Sequence, residues 1–397
     1  MTTMEYLATG FILLCAIAGN CWFWTSFVNR LYSLRLQHDT LDRLRFPHDL
    51  GMIIVPVLLL MSFRPAAQSS NMLAVVSVTG WNSSAWGIPW LISALGFVAM
   101  VWTISSRQLR KPPAGFELRQ SEVLRLQNDQ PDHYLGEGSY LQMLSVPGNQ
   151  SLEPELNQKR FCFANLPHEF DGLRILHISD VHFLGAINKP FYQEVFQALQ
   201  KWPADLVVFT GDLLDRMDKL DWIDETFGIL SASEGCHYIL GNHDWHLDCD
   251  LIHERMARFD WQNIAGSVNV ITRGGASLAI GGDERPWMGA APDFARTPEK
   301  AFRILLSHTP DNLPWARQQA VDLMLSGHNH GGQIKLPLIG PVYAPSRYGV
   351  HYADGEFYES PTTLHVSRGL AGKHPLRIRC RPEVTLLTLN RQTNSHC

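Results

Sequence analysis

Five short stretches of the chain end an apolar run in residues that can hold a metal ion or move a proton. "LRILHISDVH" closes on Asp180 and His182, "DLVVFTGD" on Asp212, and "CHYILGNHD" on Asn242, His243 and Asp244; "FRILLSH" closes on His308 and "VDLMLSGHNH" on His328 and His330. Carboxylate, amide and imidazole donors without a thiolate suit first-row divalent ions such as Mn, Fe or Zn better than a structural zinc knot. Taken singly, each residue has an ordinary explanation, since a strand-terminal Asp such as Asp212 commonly caps the helix that follows. As a set they point to metal-assisted hydrolysis. Two ions about 3.5 to 4 Å apart, sharing one carboxylate, can hold a bridging hydroxide and grip a phosphoryl group for in-line attack.

The elements that must position these residues are legible in the same stretches. Each apolar run reads as a buried strand, and between the runs Phe191, Val195 and Leu199 share one helical face, Leu220, Ile223, Phe227 and Leu230 another. Alternating strands and helices predict an α/β domain with a largely parallel sheet, and "TTLHVSRG" and "EVTLLTL" are expected in a second sheet. In open α/β sheets ligands bind beyond the carboxyl ends of the strands. All five runs end there in Asp, His or Asn.

The ordered motifs "DVH", "GDLLD", "GNHD", "SHTPD" and "GHNHGGQ" resemble the calcineurin-like metallophosphoesterase family over roughly Leu166 to Leu389. The resemblance implies two β-sheets sandwiched between helices and two divalent metal ions. It implies that Asp180, His182 and His330 hold the first ion and Asn242, His308 and His328 the second, with Asp212 bridging. His243 is expected to contact the phosphate and protonate or stabilise the leaving oxygen, with Asp244 orienting it. Gly327 and Gly331 are expected at positive φ, turning His328 and His330 inward on either side of Asn329. Asn329 stands where the family often has Thr, which leaves every ligand in place. His177, His237, His246, His351, His365 and His374 match no ligand position.

Ahead of this part the composition is that of a membrane protein. Tyr6 to Val28 carries no charge, and between Leu50 and Ile104 Arg64 is the only charged residue. Crossing a hydrocarbon core of about 30 Å takes roughly 20 apolar residues as a helix. Tyr6 to Val28 and Trp86 to Ile104 meet that length; Leu50 to Phe63, extended by Phe46 to Asp49, is expected as a middle span despite Pro56. Met72 to Gly80 is too short alone and reads as a re-entrant piece or part of a hairpin. A cleaved signal peptide does not explain the first segment, which lacks a basic n-region and is followed by further apolar runs. Arg30, Arg35, Arg43 and Arg45 follow the first span, and Arg107, Arg110 and Lys111 the third. Positive loops face the cytoplasm, so three spans predict a cytoplasmic catalytic domain. The expected organisation is a transmembrane region over 1–105, a juxtamembrane linker over 106–160 with a helix near Glu117 to Asn128, and the catalytic domain over 161–397.

The net charge of -5, from 33 basic and 38 acidic residues among 397, offers no cationic field for nucleic acid. Seven scattered cysteines without C-x-x-C spacing argue against a disulfide scaffold and fit a reducing compartment. Gln333 to Tyr352, "QIKLPLIGPVYAPSRYGVHY", resembles a membrane-associated branch of the family that includes phosphodiesterases and the chlamydial-type UDP-2,3-diacylglucosamine pyrophosphatase of lipid A biosynthesis. Anchoring a catalytic domain raises its effective concentration toward anything in the bilayer. That leans the expected substrate toward a lipid-linked phosphoester or pyrophosphate; the alternatives are a non-lipid phosphoester or a scaffold that has lost its chemistry.

Overall fold

The computed structural model describes residues 3–36, 38–62, 84–127, 131–138 and 140–392. The chain divides into two compact units, Met1–Arg110 with Pro337–His351, and Lys111–Leu336 with Tyr352–Cys397.

The first unit contains helices α1 (Thr3–Leu31), α2 (His38–Ser62) and α3 (Ser84–Leu109). Each has a segment long and apolar enough to cross a membrane: Tyr6–Leu31, Arg43–Met61 and Gly87–Leu109. The middle helix begins earlier than its apolar core suggests and runs through Pro47 and Pro56. The expected short piece at Met72 to Gly80 lies outside the described residues.

The second unit is a two-sheet sandwich. Strands β1 (Phe116–Val123), β2 (Glu155–Phe163), β3 (Leu173–Ile178), β4 (Leu206–Thr210), β5 (Cys236–Ile239), β6 (Trp261–Asn263), β7 (Val268–Arg273), β8 (Ala276–Asp283), β9 (Phe302–Ser307) and β10 (Leu323–Ser326) are followed by the two-residue β11 (Lys335–Leu336) and β12 (Gly340–Pro341). Strands β13 (Gly355–Glu359), β14 (Thr362–Val366) and β15 (Glu383–Arg391) complete the set. One sheet has the order β1-β2-β15-β3-β4-β5-β6 and the other β13-β14-β10-β9-β8-β7. In β4, Leu206 and Val208 point into the core between the sheets, whereas Val207 and Phe209 join the core on the outer face. A side-chain period of two requires this division. On the outer face, helix α4 (Lys189–Leu199) starts at Asn188, whose side chain accepts from the Lys189 N–H, and buries Phe191, Tyr192, Val195, Phe196 and Leu199.

Four expectations change. The stretch near Glu117 is a strand, because β1 pairs antiparallel with β2; the partner strand overrides its helical composition. "EVTLLTL" is β15 of the first sheet, parallel to β2 and antiparallel to β3, while "TTLHV" is β14 of the second. The face of Leu220 to Leu230 is carried by short 3₁₀ turns, Met217–Ile223 and Phe227–Ile229, not by an α-helix. Cys162 is disulfide-bonded, although Cys15, Cys21, Cys236, Cys249 and Cys380 are free thiols.

Candidate metal centre

The carboxyl ends of β3, β4, β5, β9 and β10 deliver the candidate residues to one place. Ligand atoms of Asp180, His182, Asp212 and His330 lie within 4.8 Å of one another, and so do those of Asp212, His308 and His328. Asp212 belongs to both groups. Asn242 joins the second, its Oδ1 lying 3.0 Å from His308 Nε2. Asp180, His182, Asp212, His328 and His330 all have φ between +44° and +68°. Non-glycine residues adopt this conformation at a cost of about 1–3 kcal/mol each, and such strain concentrates at functional sites.

The two glycines of the last loop do different work. Gly331 has φ +63°, as the turn requires. Gly327 does not have positive φ; a Cβ there would lie 1.9 Å from Ser179 Oγ and 2.1 Å from Asp180 Oδ2, so its role is close approach. That approach lets the His328 N–H donate to Asp180 Oδ1 at 2.9 Å. Asn329 turns away between the histidines and donates to the Tyr352 carbonyl.

Asp215 orients two imidazoles at once. Its carboxylate accepts from His182 Nδ1 at 2.9 Å and from His243 Nδ1 at 2.5 Å. A carboxylate can only accept, so both rings carry a proton on Nδ1. In the neutral ring, the form a metal ion binds, the Nε2 of His182 presents a lone pair 3.3 Å from Asp212 Oδ2, and neither atom has a hydrogen-bond partner. His308 Nδ1 donates to the Thr210 carbonyl at 2.7 Å, which leaves its Nε2 facing Asp212 Oδ2 at 3.3 Å and His328 Nδ1 at 3.1 Å. His330 Nδ1 bonds the Ala371 carbonyl, and its Nε2 lies 3.7 Å from Asp180 Oδ1. Acceptor atoms that face one another in a buried cluster repel unless cations lie between them. The donor set and its orphaned atoms therefore fit two cations sharing Asp212.

The electrostatics follow from this crowding. Burial alone would raise the Asp212 carboxyl; without cations the positive charge of protonated His308, His243 and His182 holds it well below the usual range, a role that bound metal ions would take over. Asp215 is likewise pulled far down by His182 and His243 against its burial. Asp244 goes the other way, pushed up to about 6 by burial and the Asp212 charge.

Asp244 is the candidate that the structure moves. Its two oxygens accept the backbone N–H groups of Gly241, Leu213 and Leu214 at 2.9–3.1 Å. Those bonds tie the loop after β4 to the loop after β5, while Asp215 takes the ring of His243. Neighbours in a tight turn diverge, so adjacency in sequence did not put Asp244 on His243. Asp215 lay in the "GDLLD" motif, three residues beyond Asp212, and that spacing was the available signal. Trp287 had none: its ring packs 4.8 Å from that of His328 and 5.6 Å from that of His308. The histidines read as non-ligands stay out of these two metal-sized groups and of a third formed by His182, Asp215 and His243; His177 instead bonds Thr210 Oγ1 at 2.9 Å.

The calcineurin-like phosphoesterase profile matches residues 173–332, the span that holds every donor above. An uncharacterized metallophosphoesterase of Bacillus subtilis, YkuE, is 32% identical over 256 residues, 60% of this chain and 87% of the relative. The chain belongs to the calcineurin-like phosphoesterase family. Phosphodiesterase YaeI of Escherichia coli is 26% identical over 54% of this chain and 82% of its own length. UDP-2,3-diacylglucosamine pyrophosphatase LpxG of Chlamydia trachomatis is 27% identical over 59% of this chain and 90% of its own length. Members of the family depend on a dinuclear metal centre, and this phosphoesterase carries ligand groups suited to one.

Proposed function

We propose that this phosphoesterase is an integral membrane hydrolase that cleaves a phosphoester or pyrophosphate bond in a lipid-linked substrate, of which UDP-2,3-diacylglucosamine is an example. The observation that carries the hydrolytic reading is the shared Asp212, whose Oδ2 lies 3.3 Å from both His182 Nε2 and His308 Nε2. Asp180, His182 and His330 would hold one ion, Asn242, His308 and His328 the other, and Asp212 would serve both. The donors are nitrogen and oxygen, which favours Mn, Fe or Zn. When bound, the ions supply positive charge for the phosphoryl oxygens and an activated water.

The protein groups do the rest. His243 is only partly buried, and Asp215 holds its Nδ1, so Nε2 is the atom left to meet the phosphoryl group and protonate the departing oxygen. Asn242 presents its side-chain oxygen beside His308 and so orients the second ion's ligand set. Asp244 ties the loops that carry Asp212 and Asn242. The membrane reading is supported by the three apolar helices; the arginines that follow α1 and α3 favour a cytoplasmic catalytic unit, whereas the Cys162 disulfide favours the oxidising side. The lipid-linked substrate is supported by that anchoring and by the resemblance to LpxG.

The full chain in detergent, loaded with Mn, tests both levels. It is expected to hydrolyse bis-p-nitrophenyl phosphate, and to act faster on UDP-2,3-diacylglucosamine in mixed micelles than on its deacylated form. Absence of metal-dependent hydrolysis would sink the enzyme reading. Equal rates on acylated and deacylated substrates would assign a water-soluble phosphoester instead.

A further inference from the structure

Residues 337–351 belong with the apolar helices, although the catalytic unit's strand β10 ends 11 residues before them and β13 begins 4 residues after them. Their attachment is specific. Asn29, near the end of the α1 span and 2% exposed, donates to the Val342 carbonyl at 3.2 Å and accepts the Ala344 N–H at 3.1 Å. At the end of α3, Arg107 bonds the Ile339 carbonyl and Gln108 the Leu338 carbonyl. Tyr343 meets the ring of Tyr32 edge-on. Irregular backbone at membrane depth is tolerated only where protein groups satisfy it. These side chains satisfy the Leu338, Ile339 and Val342 carbonyls and the Ala344 N–H.

The side chains at the tip of the segment are apolar and turned outward. Leu338 is 87% exposed, the most exposed large hydrophobic residue among those described, and Pro337 beside it is exposed too. Arg107 and Arg110 stand at the same helix end. An apolar tip ringed by arginine, at the end of a membrane-length helix, matches the boundary between lipid headgroups and acyl chains.

The segment is also tied to the metal loop. Pro337 follows His330 by seven positions, a reach of at most about 25 Å for extended chain. On the other side, Tyr352 follows the segment directly, and its carbonyl is held at 2.8 Å by Asn329, the residue between His328 and His330.

We propose that residues 337–351 form an interfacial element whose tip, Leu338 with Pro337 and Ile339, seats in a lipid bilayer at the headgroup boundary and couples that bilayer to the loop bearing His328 and His330. The coupling half rests on the hydrolase reading above; the seating half does not. A fluorophore on Leu338→Cys, in the full chain reconstituted into phosphatidylcholine–phosphatidylglycerol vesicles, tests the seating, with labelled wild-type chain as the blank. Shallow nitroxide lipids are expected to quench it roughly twofold, as for an interfacial group. An unquenched label at 338, with the same label at Leu14→Cys in α1 quenched, overturns the seating. Leu338→Asp tests the coupling: hydrolysis of a vesicle-embedded phosphodiester should fall roughly tenfold against unchanged bis-p-nitrophenyl phosphate turnover, because the three helices still anchor the chain and only the embedded substrate depends on the seated tip. An unchanged ratio overturns the coupling. If neither substrate is cleaved even by the wild-type chain, the hydrolase reading fails and takes the coupling with it, while the quenching still decides the seating.

Discussion

Two clusters of buried charge lie in the same catalytic unit and are balanced in opposite ways. In one, Lys159 pairs with Glu356 at 2.9 Å and with Glu383 at 2.6 Å, and Arg368 pairs with Glu383 at 3.0 Å and with Glu155 at 2.8 Å. Each charge there has an opposite charge from the chain itself. In the other, Asp180, Asp212 and the lone pairs of His182, His308 and His330 face one another, and two of those atoms have no partner. The first cluster pairs its charges within the chain, although Glu356 Oε1 makes no hydrogen bond beyond its ion pair with Lys159. The second needs charge from outside the chain, and the contrast separates a structural ion network from a catalytic one more sharply than burial does.

Asp212→Asn should break the contrast most severely. It removes the one carboxylate common to both groups, and we expect both ions to be lost, with turnover falling at least about a thousandfold. Metal analysis beside kinetics checks this; retention of both ions would contradict the shared-ligand geometry. In the self-balanced cluster, Glu383→Ala leaves Lys159 with Glu356 alone and Arg368 with Glu155 alone. Removing one partner of a buried pair costs about 3–5 kcal/mol, so denaturant unfolding should show a loss of that order while metal content in the folded fraction is unchanged.

Smaller effects sharpen the comparison. His243→Ala should leave both ions bound and lower turnover by about 10²–10⁴-fold, the usual worth of a positioned acid. Asp215→Asn should do more than that variant to metal affinity, by about 10–100-fold, because it also frees His182; equal metal affinity in the two variants would remove Asp215 from the ligand-orienting role. The last effect is on pH. Burial raises the Glu356 carboxyl, but Lys159 and His365 overcome it and hold it at about 2, below its ordinary 4.5. A depressed carboxylate stabilises fully above pH 4.5 and loses that contribution as pH falls toward 2. The shift corresponds to about 3 kcal/mol, and Glu356→Gln should flatten the acid limb of the stability profile without altering metal binding.

Much of the metal centre could be read from residue order alone. A buried parallel strand needs an uninterrupted apolar run, and its end must turn to polar residues, so Asp180, His182, Asp212, Asn242, His308, His328 and His330 stood out at the predicted strand ends. The three membrane-length helices were legible for a related reason, since length and lack of charge are properties of a single segment. What depended on partners far away in sequence was not legible. The strand β1 looked helical until β2 paired with it, and Gly327 looked like a turn residue until Ser179 and Asp180 filled the space where its Cβ would stand. Asp215 and Asp244 both lie near candidate ligands in sequence, and only the tertiary structure decided that the first takes the ring of His243 and the second three backbone N–H groups. Local pattern determined which residues could do chemistry; hydrogen-bond geometry between separate loops decided which atom of each is left free to do it.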